Sequence, residues 1–206
     1  MSTQEQAVVH VHRDDIGSRM GMWLFLFTEL LLFGGLFFLY SVYRFMHQAD
    51  FHVAAKELNV LVGTFNTAIL LTSSLTMALS ITALQRNNKK LSVFFQLCTI
   101  LLAVAFLVNK YFEWMTKIHH GIYPGSDEYL AMESGRRLFF ALYYVMTGLH
   151  ALHVIIGMVL ISVMTRFTVR NVITHDNYVK LEAAGLYWHL VDIIWIFLFP
   201  LFYLIT

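Results

Sequence analysis

The chain has 206 residues, of which 58% are hydrophobic and 13% charged, and its formal net charge is +1. Soluble domains average about 25% charged residues, so this composition excludes an ordinary soluble globule and indicates an integral membrane protein. A balance this close to neutral points to no nucleic acid, and one cysteine, Cys98, excludes an internal disulfide framework.

The first stretch, Met1 to Arg19, is polar and carries His10, His12, Arg13, Asp14 and Asp15. It lacks the basic-then-apolar layout of a cleaved signal peptide and reads as a retained tail on the membrane surface. A spanning helix needs about 20 mostly apolar residues. Five segments meet that length, at about 20–45, 58–84, 91–118, 138–163 and 181–205. Only 2 prolines occur, which suits long uninterrupted helices. The expectation is an all-α protein. Residues 1–19 form a polar tail, and 20–206 form one integral membrane bundle of five transmembrane helices.

Between the spans, Arg44 to Glu57 reads as a short mixed-charge connection and Arg86-Asn-Asn-Lys-Lys90 as a tight basic turn. His119 to Arg137 is the longest loop, and Arg166 to Lys180 is a polar connection. Connections this short favour one antiparallel bundle over two domains. Loop lysines and arginines set orientation. The side holding the N-terminus has Arg13, Arg19, Arg86, Lys89, Lys90, Arg166, Arg170 and Lys180; the other has Arg44, Lys56, Lys117, Arg136 and Arg137. Eight against five favours the N-terminus inside and the C-terminus outside.

Several spans carry ionisable residues. Such groups are costly at membrane depth and mark functional candidates. Glu29 sits about nine residues into the first helix, on the order of 13 Å at 1.5 Å per residue. Two readings stand side by side for it: a proton-handling or lipid-contacting carboxyl, and an acid hydrogen-bonded to a neighbouring helix. Lys110, Glu113 and Lys117 share one face of the third helix, where internal charge neutralisation is the favoured reading.

His150 and His153, spaced i, i+3, share a face of the fourth helix and could ligate a metal with His189 and Asp192 of the fifth. A carboxylate-bridged di-metal bundle, however, takes Glu-x-x-His motifs, and none occurs here. Glu182, His189 and Asp192 fall within about a quarter turn of one another. The favoured reading is a polar seam that locks the bundle, with Gly148, Ala151 and Gly157 admitting a close neighbour. No Cys-x-x-Cys-His, phosphate-binding Gly-rich loop or Gly-x-Ser-x-Gly elbow is present. Two other classes stay open: a stand-alone membrane metalloprotein using His150, His153, His189 and Asp192, and a small transporter with Glu29 as coupling carboxylate. The lack of internal repeats and of broken helix pairs argues against the transporter.

Four ordered motifs together resemble one family, subunit III of the haem–copper terminal oxidases. They are Gly21-Met-Trp-Leu-Phe-Leu-Phe-Thr-Glu29, Lys110-Tyr-Phe-Glu-Trp114, Gly148-Leu-His-Ala-Leu-His-Val-Ile-Ile-Gly157 and Tyr187-Trp-His-Leu-Val-Asp-Ile-Ile-Trp195. The resemblance runs from about Arg19 to the C-terminus and is to the short five-helix bacterial form, without the first two helices of seven-helix members. It implies a non-redox accessory subunit of a proton-pumping respiratory oxidase, non-catalytic when isolated, that stabilises subunit I and supports proton uptake. Cytochrome c oxidase stands ahead of a quinol oxidase or a nitric-oxide-reductase-associated homologue.

The resemblance also implies that this chain binds no haem, copper or other metal, those cofactors residing in partner subunits, and that phospholipid is its ligand. Its partners would be oxidase subunits I and II and membrane phospholipids, with cytochrome c or quinol met only through the complex. Its place would be the bacterial cytoplasmic (inner) membrane, as a multi-pass protein. By the same resemblance Glu29 is the carbodiimide-reactive, proton-related carboxyl. Its partner groups would come from His150, His153 and Glu113 as internal hydrogen-bond contacts, and Glu182, His189 and Asp192 are internal polar contacts as well. Arg166 and Arg170 are lipid-headgroup candidates. The His10, His12, Asp14 and Asp15 tail is expected to buffer protons beside subunit I.

Overall fold

The computed structural model describes residues 15–205. Seven helices follow one another: α1 Asp15–Met46, α2 Gln48–Ala55, α3 Val60–Gln85, α4 Lys89–His119, α5 Asp127–Ala131, α6 Ser134–Val169 and α7 Val179–Tyr203. Among the described residues no strand forms, and five of the helices (all but α2 and α5) are long and apolar enough to cross a membrane. The physical reason is backbone satisfaction. In hydrocarbon each N–H and C=O must be paired within the protein, and a helix does this with its own residues. The chain is therefore an all-helical, multi-pass membrane protein. The expected tail lies outside the described residues up to position 14, and from Asp15 it is already helical.

Helix ends follow local side chains. The Asn59 side chain accepts from the Leu61 and Val62 N–H groups and starts α3, and Asn88 accepts from Leu91 to start α4. Between them Asn87 takes a positive φ of 57°. The Asn87 N–H donates to Leu84 O, and the Asn88 N–H to Ala83 O. That is the paired closure by which a left-handed residue satisfies the last carbonyls of a helix. The turn is short enough to leave α3 and α4 as an antiparallel hairpin. Asn171, with φ 59°, ends α6 in the same way through Val172 N–H to Phe167 O. Lys89 adds its ammonium to that end, donating to Val169 O at 2.7 Å and to the Asn171 side chain at 2.6 Å.

Four spans close a ring in which α3 packs on α4, α4 on α6, α6 on α7 and α7 on α3. Inside it, Trp188, Trp195, Phe106, Tyr143 and Met146 are fully buried. Gly157 lets α6 and α7 meet, since a Cβ there would lie 2.7 Å from the Trp188 ring. α1 leans on the outside of α6 and α7 and is the least buried span. It runs parallel to α7. Arg19 meets Glu182 near their N-terminal ends, and the Tyr40 hydroxyl donates to Leu201 O near the other.

Three connections hold more structure than their composition indicates, and His119 to Arg137 contains α5 and the start of α6. The Arg44 to Glu57 stretch contains α2, whose Phe51, Ala54 and Ala55 are buried. Phe51 stands edge-on to Phe139 of α6 at 5.4 Å. One short apolar face was hidden among charges. α6 runs 36 residues, about 54 Å at 1.5 Å per residue, against a hydrocarbon core of about 30 Å. It carries Arg166 within its last turn and so takes in residues expected to be loop. Beyond the spans, burial pushes the Tyr129 phenol up, opposed by the Arg137 guanidinium. The Tyr129 hydroxyl donates to Arg137 O at 2.9 Å.

Candidate functional site

Glu29 is met by a residue 124 positions away. Its Oε2 lies 2.8 Å from His153 Nε2, with side-chain exposures of 15% and 9%. His153 Nδ1 lies 2.7 Å from Leu149 O. A carbonyl only accepts, so Nδ1 carries a hydrogen. The contact between Nε2 and Oε2 then holds a single proton, resident on either the imidazole or the carboxyl. The ring is fixed further by Phe33, edge-on at 5.3 Å, and by the Tyr187 hydroxyl donating to His153 O at 3.3 Å. The pair lies on the flank where α1 covers α6.

Nearer the end of the bundle where α7 stops, Lys110 and Glu113 form a buried ion pair of 3.1 Å, with exposures of only 3% and 7%. Two tyrosines complete it. Lys110 Nζ donates to the hydroxyls of Tyr143 and Tyr203, each at 3.0 Å. Those hydroxyls donate onward to Glu113 Oε1 at 2.8 and 2.5 Å. All three ammonium hydrogens have acceptors, and each hydroxyl both accepts and donates. The cation also lies over the rings of Tyr143 at 4.9 Å and Trp195 at 5.4 Å. Lys117 does not continue this chain of charges; it reaches back to Glu57 O at 3.2 Å. Tyr143 and Tyr203 were not singled out by sequence reasoning, because tyrosine is common in lipid-facing helices and neither lies near Lys110 along the chain.

Across the ring, α3 supplies small hydroxyls to α7 and α4. Ser74 Oγ meets His189 Nδ1 at 2.7 Å, Ser73 accepts from Trp188 Nε1 at 3.1 Å, and Thr67 accepts from Trp195 Nε1 at 3.0 Å. Asn109 donates to Asn66 at 3.0 Å, and Thr76 meets Thr99 at 2.7 Å. The Ser/Thr content of this span was the one signal available for these contacts. Glu182 lies at the α7 start and pairs with Arg19 at 3.0 Å, with both side chains over a third exposed. The polar stripe of α7 thus diverges. Glu182 reaches α1, His189 reaches α3, and Asp192 is buried beside the Ser74 side chain of α3. His150 is likewise buried with both ring nitrogens unpartnered, held between Phe106 at 5.5 Å and Trp195 at 5.1 Å. His150 therefore contributes ring packing, with no side-chain hydrogen bond of its own.

His150, His153, His189 and Asp192 do not converge. Among the described residues no three His, Cys, Asp or Glu side chains gather as a metal-binding group. Arg166 stands exposed beside a groove of 470 Å³ between α4 and α6, lined by Ile100, Met158, Val159, Ser162 and Val163. Arg170, the exposed residue that closes α6, lines none of the grooves described here.

Residues 3–206 match the family model described as Cytochrome c oxidase subunit III. The chain belongs to the cytochrome c oxidase subunit III family. It is 33% identical to "Cytochrome c oxidase subunit 3" of Thermostichus vulcanus over 97% of this chain and 93% of that one. It is also 33% identical to "Heme-copper oxidase subunit I+III" of Aeropyrum pernix, over 91% of this chain but only 22% of that protein. A "Probable quinol oxidase subunit 3" of Staphylococcus saprophyticus matches at 29% identity over 91% of this chain and 89% of that one. The chain is thus a haem–copper oxidase subunit III, and membership of this family implies a complex with other oxidase subunits.

Proposed function

We propose that this chain is the non-redox, non-catalytic subunit III of a proton-pumping cytochrome c oxidase. In this reading it stabilises subunit I and supports proton uptake through Glu29. The observation that carries the reading is the 2.8 Å contact between Glu29 and His153. A carboxyl that shares one proton with an imidazole, inside a membrane span, on the flank of the bundle, is placed to exchange protons rather than only to fill space. Glu113, with Lys110 and two tyrosines, is the fully satisfied structural counterpart.

The partners in this reading are subunits I and II, which hold the haem and copper; this chain binds none. A relative whose printed name joins subunits I and III supports a place beside subunit I. Cytochrome c is taken as the donor, met only through the complex, because relatives over most of this chain carry the name cytochrome c oxidase subunit 3. The site is the bacterial cytoplasmic membrane, with the N-terminus inside, where loop lysines and arginines are in excess. Arg166, at the mouth of an apolar groove, takes a lipid headgroup, as does Arg170, also exposed near the end of α6.

A hydrophobic carbodiimide tests the central claim. It should label Glu29 in the purified complex, and Glu29→Gln should abolish the label and lower proton uptake while leaving the haem spectrum unchanged. Loss of haem in that variant would assign Glu29 to assembly instead. Normal proton uptake with the label gone would remove the carboxyl from proton handling.

A further inference from the structure

In the half of the bundle where α1 and α7 begin, the two helices leave a cavity of 290 Å³ between them. Trp23, Phe27 and Leu30 wall it from α1, spaced i, i+4 and i+7 on one helix face. Leu186, His189 and Ile193 wall it from α7, spaced i, i+3 and i+7. Trp23, Phe27, Leu30 and Ile193 are exposed, so the cavity opens sideways on the flank of the bundle. The Trp23 indole aside, His189 brings the one polar side chain among the described lining residues. Its Nδ1 lies 2.7 Å from Ser74 Oγ of α3. With Nδ1 turned to α3, the half-buried ring leaves Nε2 on the cavity side, where it has no partner among the described residues.

A serine hydroxyl both donates and accepts. When Ser74 donates to Nδ1, Nε2 carries the hydrogen and offers a donor to the cavity. When Ser74 accepts from Nδ1, Nε2 is a bare acceptor, and Asp192, buried beside the same hydroxyl, is there to receive the serine hydrogen. His189 thus meets either a carbonyl oxygen or an O–H group, inside walls of aromatic and aliphatic side chains. A quinone brings the first and its quinol the second, each on a flat ring that dissolves in the bilayer. A phospholipid fits worse on two counts. Arg19 and Glu182, one turn nearer the membrane surface on each helix, already pair at 3.0 Å, so Arg19 is no free cation for a phosphate. The volume, at the small end of the about 300–1,000 Å³ typical of ligand pockets, admits a single ring rather than two acyl chains. We propose that this cavity is a binding site for membrane quinone, with its ring against Trp23 and Phe27 and one ring oxygen hydrogen-bonded to His189 Nε2. The site takes either redox form and asks no electron transfer of this chain. It does not depend on the proton role of Glu29.

The purified oxidase complex, with this chain in place, would be illuminated with a photoreactive azido derivative of decylubiquinone. Labelled peptides of this chain would then be mapped by mass spectrometry. Saturable label is expected on the α1 and α7 peptides around Trp23 and His189, displaced by unlabelled decylubiquinone and not by phosphatidylglycerol. His189→Leu should raise the displacing concentration about five-fold, the size of one neutral hydrogen bond. His189→Gln, which keeps a donor and an acceptor, should restore part of that loss. Leu30→Trp fills the cavity from an exposed position and should abolish the label, and it decides the matter if His189→Leu does not assemble. Phe38→Trp, exposed elsewhere on α1, should change nothing. Label spread over all spans without saturation, displacement by phosphatidylglycerol, or an unchanged displacing concentration in His189→Leu overturns the proposal. So does an absence of label in the complex, as when another subunit covers the cavity.

Discussion

Replacing Glu113 by leucine should destabilise the bundle far more than replacing Glu113 and Lys110 together. The pair is 3.1 Å long, and its side chains are 3% and 7% exposed, so solvent screens it little. In Glu113→Leu the ammonium keeps two tyrosine oxygens as acceptors but loses its counter-charge, and the Tyr143 and Tyr203 hydroxyls lose the oxygen they donate to. Removing one partner of a buried ion pair costs about 3–5 kcal/mol, and the two orphaned hydroxyls put this case toward the upper end. The double variant Lys110→Met/Glu113→Leu removes the desolvated charges together, leaving two tyrosines able to bond each other. It should cost under about 2 kcal/mol, because swapping a buried pair for apolar residues is often close to neutral. The assay is a four-member cycle of reversible unfolding in mixed micelles, followed by tryptophan fluorescence. Additive single and double effects, or a Glu113→Leu loss below about 1 kcal/mol, would show that the four groups do not act as one unit.

Other consequences are as specific. Gly157→Val should lower stability by about 1–3 kcal/mol through overpacking, because its Cβ would stand 2.7 Å from Trp188; thermal unfolding in nanodiscs would read this. Asn59→Ala should cost about 1 kcal/mol by removing the acceptor at the start of α3, measured the same way. His153→Phe takes away the base that shares the Glu29 proton, so carbodiimide should label Glu29 faster in that variant. An unchanged labelling rate would place the reactive carboxyl elsewhere.

Most of the scaffold was legible along the chain because its causes are local. In lipid a span must satisfy its own backbone, so about 20 apolar residues in a row announce a helix, and each of the five spans was visible this way. The turn at Arg86-Asn-Asn-Lys-Lys90 was legible for the same reason. α2 was not, because eight residues with three buried positions leave no periodic signal strong enough to stand above Asp50 and His52. The charged half of the buried cluster, Lys110 and Glu113, lay three residues apart on one helix and could be paired by spacing alone.

What spacing could not supply was the rotation of each helix about its axis. A helix is amphipathic by local composition, but which neighbour its polar stripe meets depends on ridge-and-groove packing with segments far along the chain. The sequence by itself determined the five spans and the list of costly polar groups inside them. Only the tertiary structure decided that Glu29 meets His153 rather than His150 or Glu113, and that Tyr143 and Tyr203 close the Lys110–Glu113 cluster. It also split the α7 stripe, sending Glu182 to α1 and His189 to α3. The reason is physical: lipid enforces helix formation residue by residue, whereas the pairing of buried polar groups is enforced only once the helices stand side by side.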